Sequence, residues 1–288
     1  MPIHDLSYRH WRGRRSERPA SLVLAWSQLR LTMRRRAVRW LLVLSALGVL
    51  VCLGVVYLET MPRDSPLGVL RGLPQVELDG RSLRIFLAFQ RVVAYFIVLA
   101  AGAEVIALDR RTKALQIYLA RPLGVADYLV GKGLPIVLLL SLTSWVPALA
   151  LLLLRSIASA SLQWLRDEPW LPLAILAYSL LLILPVTLLT LAVSSLSTSA
   201  RLAGAQLVAV VIFSTAVGRI LSTLTHDDAW QLLSLDANIG QVRSWLFGSG
   251  LPHDVSPWSA LVALLVLSTG CTLLLLRRVR PVDVVGGS

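Results

Sequence analysis

Few residues in this chain could do covalent chemistry, and none stands where such chemistry needs it. The four histidines are His4, His10, His226 and His253. None falls in an apolar run, so a serine nucleophile within those runs has no imidazole base. No serine stands in a G-x-S-x-G context. No H-E-x-x-H offers zinc ligands, and no G-x-x-x-x-G-K-[ST] offers a phosphate cradle. No string of Asp at helical spacing offers a magnesium site. The two cysteines, Cys52 and Cys271, lie in separate apolar runs and read as small fillers rather than a disulfide or metal pair. The reading is of a chain that is not an enzyme and binds no cofactor of its own.

What remains is charge in unusual places. Arg91 and Glu104 sit inside one apolar run, toward its opposite ends. Ionisable residues within a bilayer are costly and mark pathways or pairings. Arg91 is close enough to one end to snorkel. Glu104 is about one turn from the other end, where it reaches water or pairs with Arg110 or Arg111. Immediately after comes a polar break, Glu104 to Lys132, reading EVIALDRRTKALQIYLARPLGVADYLVGK. It holds a basic cluster (Arg110, Arg111, Lys113) and a short amphipathic segment carrying Leu115, Ile117, Tyr118 and Leu119. A stop follows at Arg121-Pro122, and then a second short helix closed by Gly131-Lys132. Exposed aromatic and aliphatic anchors beside basic residues make a plausible protein-docking hot spot. The competing reading is a loop resting on lipid headgroups.

The elements that must position these residues are membrane spans. Of 288 residues, 56% are hydrophobic and only 15% charged, against about a quarter charged in soluble domains. Mean hydropathy is +0.71. Several apolar runs approach or exceed the roughly 18 residues that cross a bilayer. The fold class is therefore all-α, a polytopic membrane protein with six transmembrane helices. The spans are expected at about 40–58, 85–108, 134–154, 170–196, 202–224 and 258–276. Residues 1–39 read as a basic arm followed by an amphipathic helix lying in the headgroup plane, with Trp26 at the boundary. Residues 277–288 are a tail. Pro147 is expected to kink the third span. Small residues at 100–103, 194–199 and 203–205 are expected to let helices approach closely. Between spans five and six, the semi-apolar stretches AWQLLSL and IGQVRSWLFG are separated by Asp236, Ala237 and Asn238.

Six spans put both termini on one side. Nineteen Lys and Arg fall on that side and seven on the other, so the termini and the Glu104–Lys132 loop are expected in the cytoplasm. The basic residues flank apolar runs. Orientation and lipid headgroups explain the +12 charge better than nucleic acid does. An ion channel or ion-coupled carrier would show polar groups at mid-membrane. Here the midplane is apolar, which suits a hydrophobic or amphipathic cargo driven from outside the chain.

The stretch from Ala101 to Lys132 resembles the signature region of bacterial type-2 ABC transporter permeases, the membrane subunits of ABC exporters. The resemblance is carried by Asp109-Arg110 ending span two, Leu115 to Leu119, Arg121-Pro122-Leu123, Tyr128 and Gly131-Lys132. It implies a location in the bacterial inner membrane and a coupling helix over about 111–120. That helix docks on a separate ATP-binding subunit through Arg110, Arg111, Lys113, Leu115, Ile117, Tyr118, Leu119, Arg121 and Pro122. ATP and magnesium belong to that partner. The resemblance further implies pairing with a second copy or a paralogue. It also implies an outer gate in which Ala229–Leu235 and Ile239–Phe247 form short re-entrant helices, with Asp236, Arg243 and Trp245 in that loop. The alternative function is a membrane scaffold or regulatory anchor that moves nothing.

Overall fold

The computed structural model describes residues 19–60, 80–112, 114, 124–158, 166 and 168–279. Among these residues every regular element is helical. The α-helices are α1 (Ala20–Met33), α2 (Arg36–Thr60), α3 (Gly80–Ala101), α4 (Val105–Arg111), α5 (Val125–Thr143), α6 (Trp145–Ala158), α7 (Leu171–Leu196), α8 (Ala200–Thr225), α9 (Leu235–Leu246) and α10 (Pro257–Arg278). A 3₁₀ helix, Asp228–Leu233, precedes α9.

Six stretches are long and apolar enough to cross a membrane, at mean hydropathy of 2.0 to 2.5. They are Arg36–Tyr57, Leu83–Arg111, Val125–Ile157, Leu171–Leu196, Ala200–Thr225 and Pro257–Arg278. The chain thus has the architecture of a multi-pass helical membrane protein. One end of the bundle, here the proximal end, gathers α1, α4 and the α7–α8 turn. The distal end gathers the 3₁₀ helix and α9.

Helices α3, α5 and α7 form the centre. Their fully buried side chains include Leu87, Ile97, Tyr128, Ile136, Leu140, Ile175, Tyr178 and Leu182. Helices α2, α8 and α10 lie outside and leave Trp40, Leu50, Ile212, Phe213, Leu265 and Val266 exposed, as lipid-facing surfaces do. Small residues allow close crossings where the sequence has them. Ala103, Ala107 and Ala203 form one cluster, and a Cβ on Gly204 would sit 3.4 Å from Leu99 Cδ1.

Two spans are broken, each for a local reason. Span two divides at Gly102–Glu104, between α3 and α4. A Cβ on Gly102 would lie 2.6 Å from Thr190 Cγ2 and 3.1 Å from Ile136 Cδ1, so only glycine lets α3, α5 and α7 meet there. Span three divides at Ser144, three residues before Pro147. Proline has no N–H for the Thr143 carbonyl and crowds it, so the bend starts at the preceding turn. The Ser144 hydroxyl donates to the Leu140 carbonyl at 2.7 Å and steadies the break.

The expected short helix closed by Gly131-Lys132 is not separate. Helix α5 starts at Val125 and runs through both residues into the third span. Gly131 is a contact, not a cap: a Cβ there would lie 2.8 Å from Leu24 Cδ2 and 3.0 Å from the Ser21 carbonyl of α1. Helix α1 turns Leu24, Ala25 and Thr32 inward and leaves Leu22, Val23, Trp26 and Leu31 exposed. The Arg30 guanidinium lies 5.3 Å from the centre of the Trp26 ring.

Candidate functional site

Charged side chains gather in two clusters, one at each end of the bundle. The proximal cluster is built around α4, the short helix that leads into the basic loop. The break at Gly102–Glu104 frees carbonyls at the end of α3 and turns Glu104 sideways. Arg35, in the link between α1 and α2, uses both. Its Nη1 donates to the Ala100 carbonyl at 2.9 Å, and its Nη2 pairs with the Glu104 carboxylate. Glu104 therefore pairs with neither Arg110 nor Arg111. Arg110 donates to the Ser195 carbonyl, and Arg111 is exposed.

The first N–H groups of a helix need an acceptor from outside it. Glu104 does not supply one to α4. Ser194 of α7 does, its Oγ accepting from Ile106 N at 3.0 Å and Ala107 N at 3.1 Å. At the other end of α4, Asp109 Oδ2 accepts from the Tyr128 hydroxyl at 2.7 Å and faces Lys132 Nζ at 2.7 Å. Lys132 also donates to Gln28 Oε1 of α1 at 3.3 Å and lies 5.9 Å from the centre of the Tyr128 ring. The Lys132 side chain is 3% exposed and that of Asp109 10%. Charges this deep survive only when paired and hydrogen-bonded. Helix α4 is thus fastened to α5, α7 and the α1–α2 link, and Lys132 of α5 carries the attachment on to α1. Lys113, Leu115, Ile117, Tyr118, Leu119, Arg121 and Pro122 lie outside the described residues.

The distal cluster starts from a helix cap. Ser234 Oγ accepts from Ala237 N, which opens α9 at Leu235. Asp236 therefore sits in the first turn of α9, not in a gap between two stretches. The two expected segments are a 3₁₀ helix over Asp228–Leu233 and a helix over Leu235–Leu246. Arg91 does not snorkel. Its side chain is 12% exposed, and its Nη1 lies 3.1 Å from Asp236 Oδ1 and 3.2 Å from the Asp236 carbonyl. The Tyr95 hydroxyl donates to the same Asp236 Oδ1 at 3.3 Å. Arg243 is half-buried two turns along α9. Trp245 is exposed and lies 5.3 Å from Trp258, ring centre to ring centre, a pair suited to a membrane boundary.

The distal loops are tied down separately. Gln241 Nε2 donates to the His253 and Val255 carbonyls, at 2.9 and 2.6 Å. Asp228 accepts from the Ser222 hydroxyl at 2.7 Å and from Asp254 N at 2.8 Å. These bonds, the Ser222 one foremost, hold the Asp228 carboxyl below its ordinary value. Its contribution to stability is full above the unfolded value of about 4 and is lost as pH falls through the lower folded one. Stability curves of the native chain and Asp228→Asn should therefore be separated at neutral pH and converge below about pH 4. Parallel curves down to pH 2 would show that Asp228 is not linked to folding.

Among the described residues no three His, Cys, Asp or Glu side chains come together. Both clusters join one helix to another. The proximal one can transmit force, because four polar attachments hold one short helix. The sequence reading singled out Glu104, Asp109, Arg110, Tyr128 and Lys132 but paired none of them correctly. It overlooked Gln28 and Tyr95, placed Arg35 in a basic run facing lipid headgroups, and read Ser194 as a packing residue only. No family model matches the chain, and no curated protein matches it.

Proposed function

We propose that this chain is the membrane-spanning subunit of an ABC exporter, forming the pathway and receiving work from a separate ATP-binding subunit. The chain lies in the bacterial inner membrane with both termini and the proximal cluster in the cytoplasm. ATP and magnesium bind the partner, and a second copy or a paralogue supplies the other wall of the pathway. One observation carries the reading. Helix α4, which leads into the basic loop, is fastened to α5 and α7 through Asp109, Arg110, Ser194 and Lys132, and Lys132 reaches on to Gln28 of α1. A push on that loop is therefore delivered to the bundle as a unit rather than lost in a flexible joint. A scaffold needs no such fastening. The resemblance over Ala101–Lys132 points the same way.

The test is co-purification from the bacterial cell that natively makes the chain. The native chain retains an ATPase carrying a phosphate-binding loop. A variant combining Arg111→Glu, Lys113→Glu and Tyr118→Ala loses it by at least tenfold while inserting normally. Retention of the ATPase by that variant would sink the docking assignment. Orientation is read separately, with Cys52 and Cys271 replaced by Ala. In intact cells a thiol at Thr112→Cys should be shielded from an impermeant reagent and one at Pro252→Cys should react. The reverse pattern overturns the topology.

A further inference from the structure

The distal cluster has more donors than acceptors. Arg91 Nη1 is committed to Asp236, but Arg91 Nε has no hydrogen-bond partner. Arg243 Nε and Nη1 and the Tyr178 hydroxyl are likewise buried without one. Tyr178 is 1% exposed. Its hydroxyl lies near the Arg243 guanidinium but outside hydrogen-bond alignment. Arg84, two turns from Arg91 on α3, adds a third guanidinium within electrostatic reach of Arg243. Among the described residues the carboxylate set against these is that of Asp236. Burial pushes the Arg243 guanidinium below its ordinary value, as expected for a charge short of a counter-ion.

An apolar groove descends from this cluster. It lies between α3, α7 and α8, with a volume of about 270 Å³. Tyr95 and Leu235 form its distal end, and Leu99, Leu189 and Leu207 lie deeper. Tyr95 belongs to both features, because its hydroxyl bonds Asp236 while its ring lines the groove. A positive, donor-rich head region above an apolar channel is complementary to one chemistry, an anionic head on an acyl chain.

We infer that Arg243, Arg91 and Tyr178, together with the groove beneath Tyr95, form a binding site for an anionic amphiphile with a phosphate headgroup and an acyl tail. The two guanidiniums and the tyrosine hydroxyl donate to the phosphate oxygens, and the tail lies along Val92, Phe96 and Val208. Asp236 holds Arg91 in place through its carboxylate and carbonyl. The inference does not depend on transport, on orientation or on an ATPase.

The test uses the full chain purified in a neutral maltoside detergent and native mass spectrometry. Three probes are compared: lysophosphatidylglycerol, lysophosphatidylcholine of the same chain length, and inorganic phosphate. The expected result is one lysophosphatidylglycerol retained per chain, at least tenfold tighter than either other probe. Arg243→Gln should lower that affinity at least tenfold. Arg243 Nε and Nη1 make no hydrogen bond that the substitution would remove, and an unchanged melting curve shows that folding is retained. A second variant, Val208→Trp, fills the groove without touching the head cluster and should also weaken binding. Equal retention of the two lysolipids, with no effect of Arg243→Gln, would overturn the headgroup assignment. Inorganic phosphate binding as tightly as the lysolipid would overturn the tail assignment.

Discussion

Lys132→Met should destabilise the folded bundle by about 3 kcal/mol or more, the usual result of removing one partner from a buried ion pair. The substitution keeps the length of the side chain and leaves the Asp109 carboxylate, 10% exposed, with the Tyr128 hydroxyl as its donor among the described residues. It also strips Gln28 of its partner on α5, so α1 loosens as α4 does. Unfolding in mixed detergent micelles, followed by circular dichroism, measures the loss. Asp109→Leu combined with Lys132→Met removes both charges, and an apolar pair of similar volume should recover most of the stability. Some loss remains, because Gln28 keeps the amide oxygen that Lys132 met. If the double variant were as unstable as the sum of the singles, the two residues would not be acting as a pair.

Gly102→Val should cost about 1 to 3 kcal/mol, the range for overpacking a well-filled interior. The new Cβ would lie 2.6 Å from Thr190 Cγ2, and Thr190 is held in place by its own bond to the Val186 carbonyl at 2.6 Å. Either α3 moves away from α7 or the break at Gly102–Glu104 shifts. Both outcomes draw Glu104 away from Arg35 and disturb the cap that Ser194 gives α4. Under the proposed function the variant uncouples before it unfolds. It should retain the ATPase on purification yet lose stimulation of ATP hydrolysis by the membrane subunit. A variant with native stability and native stimulation would show that Gly102 is not a tight crossing.

The six spans were legible because each is a long apolar run, and helix is the only way such a run satisfies its backbone in lipid. The ends of the spans were less legible. Helix α9 begins at Leu235 because Ser234 caps it, and a single serine among Ser, Asp and Asn residues does not announce which one caps. Gly131 looked like a helix end, whereas its role is to admit Leu24 of a helix more than a hundred residues earlier. The polar pairs were the least legible. Arg35 and Glu104 are 69 residues apart, and Arg91 lies 145 residues from the Asp236 carbonyl it meets. Snorkelling and local pairing are properties of one helix, so sequence spacing suggests them. Pairing across the bundle depends on which helices are neighbours, and apolar periodicity does not specify that in a bilayer.

The attachment of α1 also sets an order of events at the ribosome. Gln28 meets Lys132, and Arg35 meets Glu104, residues made 104 and 69 positions later. At about 5–20 residues per second, α1 waits on the order of 5–20 s for its docking partner. During that interval Leu24 lacks the Gly131 surface it packs against, so the nascent helix must rest on the lipid surface or on a chaperone. A chain arrested before residue 132 therefore has no place to put its first helix. Insertion and docking are separable steps, with the second span inserted before the N-terminal segment is fastened to it.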